Sequence, residues 1–352
     1  MSRRDRLDNM AVMPITRREF NRLSAMAGAA FLGQIQEEVK IQKEEAAAGK
    51  TPVSIVKTAD RESGIRKAVE LLGDTGFEEK EVLLKCSYNS PDPFPATTHP
   101  DTLKAVVWLL KEKGAREIVL LERSGMGSTR EVMEKLGTLD VIRDLPVQFL
   151  PLEELESREW KKIDIPGSHW KRGVEIPIFL NQNSCVVQVC NLKTHRFGGQ
   201  FSASLKNSIG LIAKYSAQDG YNYMKELHAS PDQRRMIAEV NQTYAPDLVI
   251  MDAVQSFTSG GPDSGDVAES GVIAAAQDRI AIDAAGLAIL LRFGAGAPLN
   301  TGSIFDNEQI QRAAELGLGV RSSKEIRFIA DGEASRALAA ILENLLSETA
   351  DD

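Results

Sequence analysis

Residues 185–192, Cys-Val-Val-Gln-Val-Cys-Asn-Leu, form an almost unbroken apolar, β-branched run, and this run limits the fold more than any other stretch. Successive side chains of a strand point to opposite faces, so both faces must be buried, as in a parallel sheet covered by helices on each side. Shorter runs at 53–57, 82–86, 118–121, 147–150, 248–251, 272–275 and 326–329 have the same character. They alternate with segments of helical period, such as Ile65, Ala68, Val69 and Leu72, or Leu103, Val106, Val107 and Leu110 behind Asp101 as cap. Repeated strand and helix units predict an α/β fold: a doubly wound, mainly parallel sheet or sheets with helices on both faces, in two coupled halves. The halves are 52–150 and 185–346, and 151–184 is an irregular connection.

At 193 the apolar run meets a basic edge. Lys193, His195 and Arg196 follow at once, then Gly198 and Gly199, then a helical pattern from about Ser202 with Leu205, Ile209 and Ile212 on one face. Lys206 falls in the first turns of that helix, where the backbone already carries positive partial charge, a mismatch of roughly 0.3–1 kcal/mol. An anion at the same place would remove it. A strand end, basic side chains, two glycines and a helix N-terminus are expected to seat a phosphate or carboxylate, with Lys193, Gly198 and Gly199 around it. The alternative is that Lys206 reaches solvent or pairs with a nearby Asp.

Ligands of open α/β sheets lie beyond the carboxyl ends of the strands, which adds Asn89, Thr98 and His99 from the polar loop 87–100, and Asp252 from the end of a later strand. His195 is a candidate general base or metal ligand, Lys206 an anion anchor or nucleophile, and Asp252 a metal ligand or a partner for His195. Asp278 reads as a helix cap. Asp283, at the margin of the next apolar face, reads as a surface carboxylate or one aimed into a cleft. Gly125 and Gly127 follow a strand, but Arg130 stands where a dinucleotide fingerprint needs its third glycine, so the loop reads as a turn.

The formal net charge of −8 argues against a nucleic-acid partner and leaves a small anionic ligand. The cysteines, Cys86, Cys185 and Cys190, lack the spacing of an iron–sulfur or structural zinc site, and Cys185 and Cys190 are expected on opposite faces of one strand as inert packing residues. Residues 1–50 differ from the rest: Arg17 and Arg18 precede Phe20 and a short apolar stretch. They resemble a twin-arginine signal, which implies export through that machinery, whereas an amphipathic helix in a cytoplasmic protein is the alternative. The apolar stretch is too short to span a bilayer.

Lys193-Thr194-His195 and Ser204-Leu205-Lys206-Asn207-Ser208-Ile209-Gly210, with Thr97-Thr98-His99-Pro100 upstream and Asp252, Gly260-Gly261-Pro262, Gly265, Asp278 and Asp283 downstream, resemble the domain of unknown function 362 family over about 52–345. The resemblance implies a fold and a site and adds Asn207 to the candidates; this chain lacks the cysteine-rich segment that many members carry. His195, the glycine pair and Lys206 also resemble, in order, a pattern in lactate racemase and its relatives, whose lysine carries a nickel-pincer nucleotide. Together these features lead to an enzyme that holds an anionic substrate, a phosphate-bearing cofactor or a divalent metal, with proton transfer by His195. The alternative is a non-catalytic protein that binds or delivers an anionic ligand or a redox cofactor.

Overall fold

In the computed structural model, which describes residues 49–73, 75–180 and 184–348, twelve strands alternate with helices. The first six are β1 (Thr51–Lys57), β2 (Glu81–Lys85), β3 (Glu117–Glu122), β4 (Gln148–Pro151), β5 (Trp160–Ile163) and β6 (Val174–Pro177). The others are β7 (Cys185–His195), β8 (Gln200–Ser202), β9 (Leu248–Phe257), β10 (Val267–Ala268), β11 (Val272–Ala276) and β12 (Ile326–Ala330). The expected export signal lies in residues 1–48, outside the described residues.

The main sheet runs β12-β1-β11-β9-β7-β2-β3-β4, with β10 on β9 and β8 on β7, while β5 and β6 form a separate ribbon inside the 151–184 connection. All neighbours on this path are parallel except that β11 runs against both β1 and β9. The two expected halves therefore share one sheet. β1, at the head of the first half, sits among strands of the second, between β12 and β11, because its register partners are Ala330 and its neighbours on one side and Ala276 and its neighbours on the other.

Helices cover both faces. Arg61–Leu71 and Pro100–Glu112 bury Ile65, Val69, Leu103 and Val106 in one core with Val187 and Val189 of β7. Arg279–Arg292 buries Ile280, Leu287 and Leu290 in the other core with Val186 and Leu192. Each core therefore takes alternate residues of β7, as a strand with period two requires. Cys185 joins the first core and Cys190 the second, and burial pushes the thiol of Cys185 up to about 11 and that of Cys190 well above its ordinary range.

Two local expectations change. The N-cap of Pro100–Glu112 is His99, whose side chain accepts from Asp101 N–H, so Asp101 lies inside the first turn. The long helix expected from Ser202 is instead β8, a four-residue helix Ser204–Asn207 and a 3-10 turn Ser208–Leu211. Ser204, Asn207, Ser208 and Gly210 are poor helix formers, and the hydroxyls of Ser204 and Ser208 are bonded across the core, to Gln188 and Asn241.

Going along the chain, β2, β3 and β4 are added outward in one direction, and β7 returns to the other side of β2 before β9 and β11 continue the opposite way. The β2–β7 pair is therefore the point where strand order reverses, and its carboxyl edge is where such sheets open a crevice.

Candidate active site

A cleft of about 570 Å³ opens at that edge. Its floor comes from the ends of β2, β3 and β7, which supply Lys85, Glu122 and Lys193. Glu122 is the one carboxylate among the described residues lining it, and its oxygens are committed. They lie 2.9 and 3.1 Å from Lys85 Nζ and accept the N–H groups of Tyr88 and Arg123. The pair is almost wholly buried, and Gly210 permits it: a Cβ there would lie 2.8 Å from Lys85 Nζ. Such an ion pair endures in the interior because further hydrogen bonds satisfy it. Asn207 completes it by accepting from Lys85 Nζ at 2.9 Å. Arg123, also buried, donates to the carbonyls of Ile209 and Ile212, and burial lowers its pKa to about 10.

β7 runs three residues beyond the expected apolar run, because β8 pairs antiparallel with Lys193, Thr194 and His195. Lys193 and His195, two apart, both reach the cleft. Lys193 Nζ donates to the carbonyls of Pro95 and Ala96, and burial, with Lys85 and Lys206 nearby, lowers its pKa to about 7. His195 is buried and its Nδ1 has no hydrogen-bond partner among the described residues. Burial first, then the positive charges of Lys206 and Lys193, lower its pKa to about 2, so the imidazole is neutral. Lys206 is half-buried on the same wall, with its pKa lowered to about 8 by burial and then by Arg123. His195 and Lys206 meet at Gly199, where a Cβ would lie 3.2 Å from His195 Nδ1 and 3.5 Å from Lys206 Cε. The second glycine therefore makes room for the protein's own side chains. Gly198, at φ +81°, does the same for Gln233, whose amide nitrogen lies 3.0 Å from Nδ1 of His228 on the cleft rim.

The structure thus brings Lys193, His195, Gly199, Lys206, Asn207 and Asn89 together. Asn89 sits on the opposite wall, its Oδ1 accepting Gly125 N–H, so the Gly125 turn is a wall of the cleft. Three candidates lie elsewhere. Thr98 accepts Ser87 N–H and donates to Asn191 beneath the loop, and His99 caps a helix. Asp252 is withdrawn as a metal ligand and as a partner for His195. It is fully buried, with its oxygens taken by Arg61 Nε at 2.9 Å, Thr102 Oγ1 and Val254 N–H. No group of three His, Cys, Asp or Glu able to hold a metal occurs among the described residues. Asp283 is neither a surface nor a cleft carboxylate: it accepts Ser204 N–H at 2.7 Å and Leu205 N–H at 3.1 Å, occupying the backbone donors expected to face a ligand. Lys85, Glu122 and Arg123 were missed, although a charged residue ending an apolar strand was the available sign.

A family profile described as "Domain of unknown function (DUF362)" matches residues 82–288, more than half of the chain. The thylakoid-associated protein sll1697 of Synechocystis sp. is 27% identical over 248 residues, 66% of this chain and 72% of that protein. Among solved structures, the lactate racemase apoprotein from Thermoanaerobacterium thermosaccharolyticum is similar with a TM-score of 0.41 and 15% identity, over 65% of this chain. The match spans about half, 54%, of the racemase chain.

Proposed function

The chain belongs to the DUF362 family, and on that premise we propose that it is an enzyme that binds a small substrate bearing a carboxylate or phosphate in the β2–β7 cleft and moves a proton on it with His195. One observation carries the reading. Among the described residues Lys206 Nζ and His195 Nδ1 both lack hydrogen-bond partners, the Lys206 stem and the His195 ring lie against the same glycine, and the one carboxylate lining the cleft is already neutralised by Lys85. Unpartnered polar groups at a concave, electropositive site point to a ligand that completes them.

The charges also explain how a histidine held neutral could act. In the free protein, two ammonium groups oppose its protonation beyond the cost of burial. An anionic substrate between them and the ring offsets their field, so His195 becomes more basic when substrate is present. Lys193 and Lys206 then hold the anionic group, and Arg123 adds positive potential from behind the wall. Met126 and Phe197, 55% and 53% exposed at the cleft mouth, offer apolar contact to the rest of the molecule.

The test is proton exchange. Small carboxylates with a C–H beside a carbonyl are incubated with full-length protein in D2O, and deuterium incorporation is followed by NMR. Exchange by the wild type that is lost in His195→Gln while the anion still binds supports the proposal. Binding without exchange across the panel would contradict it and leave a binding or delivery protein.

A further inference from the structure

Three lysines line the cleft among the described residues, and their engagement differs. Lys85 Nζ is held by Glu122, Asn207 Oδ1 and the Cys86 carbonyl. Lys193 Nζ is held by two loop carbonyls. Lys206 Nζ has neither a hydrogen bond nor an ion pair among the described residues, and the charge beside it is the guanidinium of Arg123. Asn207, the next residue, turns its amide to Lys85 and to the Val189 carbonyl, and the N–H groups of Ser204 and Leu205 are filled by Asp283. The short helix is thus fixed on both sides of Lys206 while its amine is left open to the cleft.

Burial and Arg123 work against the charge on that ammonium and leave a fraction of the amine neutral near neutral pH. A desolvated lysine beside a second cation is the arrangement that turns an amine into a nucleophile. We propose that Lys206 forms an imine with the carbonyl carbon of a substrate that also carries a carboxylate or phosphate, the anionic group being held by Lys193. This rests on the anion-binding reading above and names its substrate class.

The chemistry balances without a redox partner. The Nζ lone pair forms the C–N bond as the carbonyl π pair moves to oxygen, and one amine proton passes to that oxygen to give a carbinolamine. The second amine proton follows, the C–O bond breaks with water as leaving group, and the nitrogen lone pair closes the C=N bond. A proton taken up from water by the imine nitrogen gives the iminium form, which withdraws electrons from the neighbouring carbon. A proton there becomes acidic enough for a weak, neutral base such as His195, which lies against the same glycine as the Lys206 stem, to take.

Trapping tests this directly. Full-length protein is incubated with pyruvate or glyoxylate at about pH 8, reduced with cyanoborohydride, and the modified lysine is located by peptide mass spectrometry. The expected result is an adduct on Lys206 above the background of exposed lysines, suppressed by excess oxalate, which occupies the anion site without forming an imine. In Lys206→Arg, cleft labelling should fall by about tenfold or more while oxalate still binds. Mapping on the wild type needs no variant to fold. Oxalate binding with no adduct, or an adduct on Lys193 with Lys206 unmodified, overturns the imine and leaves the anion site standing. Failure of both oxalate binding and labelling overturns both readings.

Discussion

Asp283 reaches the backbone of Ser204: one carboxylate oxygen accepts the Ser204 N–H at 2.7 Å, and the other accepts the Leu205 N–H at 3.1 Å. The acceptor for the backbone donors at the start of the Ser204–Asn207 helix is therefore supplied from the helix Arg279–Arg292, 79 residues along the chain. A ligand in the cleft must be held by side chains instead, and of the cleft lysines Lys206 is the one whose Nζ has no hydrogen bond or ion pair among the described residues.

This contact predicts a pH effect. Burial raises the pKa of Asp283 from 3.8 to about 7, against the pull of the two N–H donors and Arg279. Because the folded value lies above the unfolded one, its contribution to stability is fully present below about pH 4 and is lost progressively as pH rises to about 7. Asp283→Ala should remove that slope and, by orphaning two buried N–H groups, cost roughly 2–4 kcal/mol at pH 5. Urea denaturation of both proteins from pH 4 to 8 checks it.

Lys206 has the opposite sign. Its folded pKa is depressed from 10.5 to about 8, so the charged form is penalised in full below pH 8 and the penalty fades as pH rises towards 10.5. Lys206→Met keeps the apolar stem and should be more stable than wild type at pH 7 by about 1–2 kcal/mol, with the gain shrinking above pH 8. Unfolding of the variant would instead mark Lys206 as a structural cation.

Gly199→Ala would insert a methyl group against the His195 ring and the Lys206 stem. Fitting it into this packed wall should cost roughly 1–3 kcal/mol. The variant should remain folded by circular dichroism, yet oxalate affinity should fall, since both functional side chains must shift.

Asp252 belongs to the scaffold, so Asp252→Ala should destabilise by roughly 3–5 kcal/mol, leaving Arg61 without its carboxylate, and should leave anion affinity unchanged in the folded fraction. Arg61 also lies over Phe94, 4.5 Å from the ring centroid, so melting would loosen the 87–100 loop. A loss of affinity with full stability would return Asp252 to the site.

What the sequence disclosed follows from which interactions are local. The apolar run of β7, its basic end and the period of Arg61–Leu71 are written in consecutive residues, so the sheet and the clustering of Lys193, His195 and Lys206 were legible. Asp278 was legible as a cap, since its side chain accepts from Ile280 and Ala281 within its own turn. Asp252 and Arg61 are 191 residues apart, and Lys85 and Glu122 are 37 apart on adjacent strands, so only the folded register reveals that the first pair is structural and the second lines the cleft. The position of β1 among the later strands was hidden for the same reason: a strand records how much of it is buried, but not its neighbours.

The most direct measurement is calorimetric titration of oxalate into full-length wild type and Lys206→Met, at pH 7 and pH 9 and at low and high salt. Wild type should bind at pH 7, more weakly at pH 9 as the lysines lose their protons, and less at high salt. Lys206→Met should lose roughly 1.5–3 kcal/mol of binding free energy for one charge-assisted hydrogen bond. Equal affinity in the two proteins, or no binding by the wild type under any of these conditions, would contradict an anion site built on Lys206.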